Sequence, residues 1–287
     1  MIFINKGRFQ TFLTFINEND RRASEICIEI IKHSAMNFIN ELRRKNPVLF
    51  WYGALNFAGA AVCIFLIQTT EIRVNNINAF IKPLKFYLSI AIFCWTMGWL
   101  LHYLQRPSKV RAYNIMAVIV FTFEIFVITW QAANGRLSHF NNDTVLYAWL
   151  FRLMGMAIVF LTFWTGYIGI LFFKKKDWTL PMPLVWGIRL GILCFVFFGL
   201  EGGVMAALLR HTVGGDDGGK GLPLINWNKE HGDLRIAHFL GMHSLQIFPL
   251  FGYYIATSSK TTITFAAFYV GLVVAVLVQA LMGLPLF

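Results

Sequence analysis

Residues 263–285 read ITFAAFYVGLVVAVLVQALMGLP, with no Asp, Glu, Lys, Arg or His among them. As an α-helix rising 1.5 Å per residue, such a run is long enough to cross a hydrocarbon core of about 30 Å. It is apolar all round, so it has no polar face to offer water. Working outward, six more runs of this kind precede it, at about 48–67, 85–104, 113–133, 146–173, 183–209 and 236–257, each bounded by polar, Pro or Gly residues. The run at 146–173 is long enough to tilt, and Pro249 predicts a kink in the one at 236–257. The chain is 57% hydrophobic and 14% charged, against about a quarter charged for a soluble domain. The expectation is an all-α, polytopic integral membrane protein with seven transmembrane helices.

Orientation follows from Lys and Arg in the loops. The segment before the first span and the loops after spans two, four and six hold 15 of them, whereas the alternate loops hold 7, mixed with acids. That asymmetry puts the N-terminus in the cytoplasm and the C-terminus outside. Residues 1–47 read as a cytoplasmic amphipathic segment that lies on the membrane, and 48–287 as the seven-helix domain. No cleavable signal peptide is evident, and Met36 is an alternative start. The net charge of +11 lies beside apolar runs, which indicates topology and contact with the lipid bilayer and not nucleic acid. Cys27, Cys63, Cys94 and Cys194 form no CxxC pair and read as small buried hydrophobes.

The outer loops carry the unusual chemistry. They include Lys82-Pro83-Leu84-Lys85-Phe86, then Gly135-Arg136-Leu137-Ser138-His139-Phe140-Asn141, and a long segment ending in Gly232-Asp233-Leu234-Arg235. Five of the seven histidines (His139, His211, His231, His238 and His243) fall on this side. Glu124, Arg152, Glu201, His238 and His243 lie within apolar runs, in their outer halves. An ionisable group there costs several kcal/mol unless paired or wetted, so each is expected to face the bundle interior. His238 shares a helix face with Arg235, and His243 with Gln246. His238 and His243 are five residues apart, about 140° around a helix, so one of them would bind a metal with His139 while the other supports the shell. Ser138 next to His139 reads as a capped turn, and the Gly-Gly-Asp-Asp-Gly-Gly stretch at 214–219, which lacks EF-hand spacing, as a flexible turn. There is no CxxCH, no Lys in the last span and no phosphate-binding glycine loop. Covalent haem, a rhodopsin-type Schiff base and an ATP-driven motor are therefore excluded.

The Lys82–Phe86, Gly135–Asn141 and Gly232–Gln246 segments resemble a family of bacterial multi-pass membrane proteins to which no activity is attached. The resemblance covers spans two to six and implies a bacterial plasma-membrane location. More loosely, the chain is similar to seven-span membrane hydrolases of the alkaline-ceramidase type, which use Ser, Asp and three His around zinc. That similarity implies roles for Ser138, His139, His238 and His243, although the last pair is five apart here and four apart there. The function expected is metal-assisted hydrolysis of a lipid-like substrate. His139, His238 and His243 would hold zinc, and Glu124 or Asp233 would take the proton of a zinc-bound water. Lys85, Arg136, Arg235 and Asn141 would bind the substrate, with Glu201 beneath. The alternatives are a b-type haem or quinone redox protein using the outer histidines, and a non-enzymatic carrier or sensor of a small anion.

Overall fold

The computed structural model describes residues 37–219, 221–222 and 225–287. Most of the amphipathic segment expected over 1–47 lies outside the described residues; its last part, 37–45, is helical. Seven long helices follow: α1 Pro47–Thr69, α2 Ile81–His102, α3 Pro107–Ala133, α4 Val145–Lys174, α5 Met182–Leu208, α6 Leu234–Tyr254 and α7 Ser259–Leu281. Short antiparallel ribbons, β1 Arg73–Val74 with β2 Ile77–Asn78 and β3 Thr212–Val213 with β4 Gly232–Asp233, interrupt the connections. The chain is all-α. Six helices are long and apolar enough to cross a membrane. The other is α6, whose Arg235, His238, His243, Ser244 and Gln246 dilute its apolar content.

The helix starts follow local chemistry. Pro47 and Pro107 open α1 and α3 at the position where a missing N–H costs nothing. The side chains of Asn46, Thr144 and Ser258 accept the Leu49, Tyr147 and Thr261 amides at 3.2 Å each, capping α1, α4 and α7. α2 and α3 start four and six residues ahead of the apolar runs. Lys82-Pro83 fits a first helical turn, and Pro107 nucleates α3 before its apolar residues begin.

Connections alternate between two ends of the bundle. At one end, Gly135 lies against Ile72, Gly218 against Asn75 and Gly214 against Gly283, and the Lys85 ammonium donates to the Ile225 carbonyl at 3.2 Å. At the other, Lys175 donates to Gln105 at 2.7 Å, Lys45 to Tyr103 at 3.5 Å and Thr262 to the Pro183 carbonyl at 3.2 Å. All seven helices run from end to end. The shared core contains Leu49, Cys94, Met97, Leu101, Tyr113, Ile168, Phe172, Leu184, Ile188 and Leu245. Phe126, Phe163, Phe197 and Phe268 point outward, as apolar side chains do where the solvent is lipid. α5 and α6 approach backbone to backbone through Gly187 against the Phe248 carbonyl, Gly191 against Ser244 and Gly252 against Pro183. Small residues make such close approach possible. Asn46 and Asn114 exchange side-chain hydrogen bonds at 3.2 and 2.9 Å. Arg189 donates to the Phe172, Phe173 and Lys175 carbonyls at 3.2–3.4 Å, satisfying the C-terminal end of α4.

Candidate functional site

The end that gathers residues 70–80, 134–144 and 209–233 holds the densest polar chemistry among the described residues. Asp233 organises it. It closes the β3–β4 ribbon and caps α6, accepting the Arg235 amide at 3.0 Å. It also takes the Arg235 guanidinium through Nε at 2.9 Å and Nη2 at 2.6 Å, and the Asn228 amide at 2.9 Å. Burial alone would raise the Asp233 carboxyl, but the Arg235 hydrogen bond and charge and the Asn228 amide hold it below its usual range. Both its oxygens are committed, so it is a structural centre for the loop and not a free base. Asp217 is similarly engaged, accepting the Thr212 amide at 2.9 Å and His211 Nδ1 at 3.2 Å. Burial and the Arg235 charge push His211 down to about 4, which leaves its ring neutral at pH 7.

Lys82, in the first turn of α2, sits at the centre. Its ammonium is within electrostatic reach of Lys85, Arg235, Glu124, Asp217, His139 and His211, yet forms no hydrogen bond or ion pair with any described residue. Arg235 spends Nε and Nη2 on Asp233 and on the Asn226 carbonyl at 2.6 Å, leaving its Nη1 edge free of the described residues. Below them, Glu124 is buried with one carboxylate oxygen lacking a partner, and two turns further along α3 the Gln131 carbonyl oxygen is in the same condition.

The histidines expected to share a metal occupy three separate environments. His139 pairs through Nδ1 with Ser138 Oγ at 3.1 Å and is ringed by Phe86, Phe140 and Phe151 at 5.7–6.3 Å between centroids. Burial, and then the Lys82 charge, hold it well below the usual histidine range. His238 pairs through Nδ1 with Glu201 at 3.1 Å, between α6 and α5, and the second Glu201 oxygen is buried without a partner. His243 pairs with Gln246 at 3.1 Å, and Gln246 donates to Thr96 of α2 at 3.1 Å. Among the described residues no three His, Cys, Asp or Glu side chains are grouped as metal ligands.

The remaining expected residues divide. Lys85 and Arg235 belong to the cluster. Arg136 is exposed, with its guanidinium against the Tyr147 hydroxyl and ring. Asn141 is buried in its own turn, bonded to the Leu137 carbonyl at 2.8 Å and the Asp143 amide at 3.0 Å. Arg152 does not face the interior; it is exposed on α4 with its guanidinium over the Trp149 ring. A site about two turns from a helix end lets a long cationic side chain reach toward the interface. Lys82, Asp217 and His211 are the components that spacing alone did not single out. The signal for Lys82 was its i, i+3 relation to Lys85, which puts two ammonium groups on one side of the same first turn. No protein-family model, curated protein or solved structure matches this chain.

Proposed function

We propose that this chain is a seven-span protein of the bacterial plasma membrane, N-terminus in the cytoplasm and C-terminus outside, that binds a small anionic group at its outer end as a carrier or sensor. One observation carries the reading: the Lys82 ammonium, half-buried and within reach of the Lys85 and Arg235 charges, has no acceptor among the described residues. Cations gathered at one helix end repel one another unless an anion joins them. Asp233 already accepts four hydrogen bonds, and neither it nor Asp217 pairs with Lys82. An anion placed among Lys82, Lys85 and the free edge of Arg235 would accept charge-assisted hydrogen bonds from all three.

The zinc-hydrolase reading needs His139, His238 and His243 to share one centre, and the donor set does not fit a zinc ion, since each imidazole is held by a different partner. A haem reading needs two imidazoles on one axis and meets the same obstacle.

The test is titration of inorganic phosphate into the purified protein in phosphatidylcholine nanodiscs, read by calorimetry. Losing one charge-assisted hydrogen bond costs about 1.5–3 kcal/mol, so Lys82→Gln is expected to weaken binding about 10- to 100-fold. Unchanged affinity in Lys82→Gln would sink the proposal. Stoichiometric zinc that disappears in His139→Ala would restore the hydrolase.

A further inference from the structure

α2 and α6 both begin at the outer end and so run in parallel. Gln246 of α6 donates to Thr96 of α2 at 3.1 Å, which sets their relative depth. Lys85 lies eleven residues before Thr96, and Arg235 eleven residues before Gln246. At 1.5 Å per residue both cations therefore stand about 16 Å above the Thr96–Gln246 contact, at the same height. Their mutual electrostatic influence agrees with this placement.

Matched stripes connect the two levels. Lys85, Ser89, Ile92 and Thr96 on α2, and Arg235, Phe239, Met242 and Gln246 on α6, follow the same i, i+4, i+7, i+11 spacing, which keeps each set on one helix face. Between the two anchor points the stripes stay open: Ser89 is exposed, Ile92 is 37% exposed and Phe239, beside Trp227 and His243, 44%. The two stripes thus bound a cleft with apolar walls, a hydrogen-bonded polar floor at Thr96–Gln246 and a cationic mouth at Lys85 and Arg235. It opens sideways, where the surrounding solvent is acyl chain.

From this geometry we infer that the anion recognised at the outer site is the headgroup of a membrane lipid, whose acyl chain lies in the cleft between α2 and α6. The inference rests on the anion-binding reading above and names its source. The mouth offers donors for a phosphate: two remaining N–H bonds of Lys85, which gives one to Ile225, the Nη1 edge of Arg235, and Lys82. The walls offer nothing to a water-soluble anion, so a free phosphate would leave the cleft empty. A lipid fills both parts, and burying acyl methylenes against Ile92 and Phe239 adds binding that a headgroup alone cannot obtain.

The test compares phosphatidylglycerol with its soluble counterpart glycerol phosphate. Full-length protein in phosphatidylcholine nanodiscs is titrated with each, and bound ligand is counted by native mass spectrometry. The expected result is phosphatidylglycerol retained at least ten-fold more tightly than either glycerol phosphate or phosphatidylcholine. Ile92→Trp and Ser89→Phe, which fill the cleft from the α2 side, should weaken phosphatidylglycerol at least ten-fold and leave glycerol phosphate unchanged. Equal affinity of wild-type protein for phosphatidylglycerol and glycerol phosphate would overturn the cleft and keep the anion site; so would undiminished lipid binding in both variants. Binding of neither would overturn both. If the two variants fail to fold, the wild-type comparison decides alone.

Discussion

Asp233 shows how one side chain can serve a site without acting in it. It takes donors from the backbone of its own helix, from Arg235 and from Asn228, while its side chain is fully shielded. Asp233→Asn removes the charge and turns one acceptor into a donor that faces other donors. Breaking a buried pair from one side typically costs about 3–5 kcal/mol. A loss near the lower figure is expected in detergent unfolding followed by circular dichroism, and a loss under about 1 kcal/mol would contradict the role given to Asp233. His211 sets a pH response beside it. Its folded value of about 4 lies below the ordinary 6.5. Between these values the unfolded chain binds the extra proton, so stability falls as pH is lowered from about 6.5 to 4. The depressed Asp233 carboxyl acts with the same sign at lower pH: its contribution is complete above its ordinary range and lost as pH falls through the folded value. His211→Gln should flatten thermal unfolding between pH 6.5 and 4 and leave the more acidic part of the curve in place.

At the scale of elements, the contact between α5 and α6 places His238 against Glu201. It depends on glycines whose missing side chains let backbone meet backbone. A Cβ at Gly187 would collide with the Phe248 carbonyl, whereas one at Gly203, on the same helix, meets nothing within 4 Å. Overpacking costs about 1–3 kcal/mol, and alanine favours a helix over glycine by about 1 kcal/mol. Gly187→Ala is therefore expected to destabilise the protein and to disturb the His238–Glu201 pair. Gly203→Ala should be neutral or slightly stabilising. Equal unfolding midpoints for the two variants would remove the distinction. α6 tolerates its polar residues because its neighbours answer them: Glu201 from α5, Thr96 from α2, and the Gly191 carbonyl, which accepts from Ser244 at 3.3 Å. Alone, α6 is the one of the seven long helices that falls short of the apolar content of a membrane crossing; in the bundle it joins the polar end to the interior.

For the whole molecule, the two ends of the bundle differ in kind. One presents Arg106, Lys174, Lys175 and Lys176 around a shallow basic hollow of about 430 Å³, with Leu104 and Asp177. The other presents ribbons, glycine turns and the histidine-rich loop. The function proposed above puts the basic end in the cytoplasm, on the excess of Lys and Arg there. Single cysteines at Asp143 and Lys176, both exposed and on either side of α4, test this. In intact cells an impermeant maleimide should label Asp143→Cys and spare Lys176→Cys until the membrane is opened. The reverse pattern would invert the topology.

Seven apolar runs, their approximate limits and the charge bias between their ends were all legible in the residues. Helix formation and partition into lipid depend on neighbours a few positions away; the caps at Thr144, Ser258 and Asp233 are as local but were not read, and Asp233 was expected to act as a base. The same reasoning recognised that Arg235, Lys85 and the outer histidines were unusual, but it could not pair them. Glu201 meets His238 across 37 positions, Lys85 meets Ile225 across 140 and Gln246 meets Thr96 across 150. Such pairings depend on how far each helix is rotated and how closely its backbone approaches the next, and these are set by the packing of the whole bundle. That packing separated three histidines expected to act together, turned Arg152 outward and set Lys82 at the centre of the outer site.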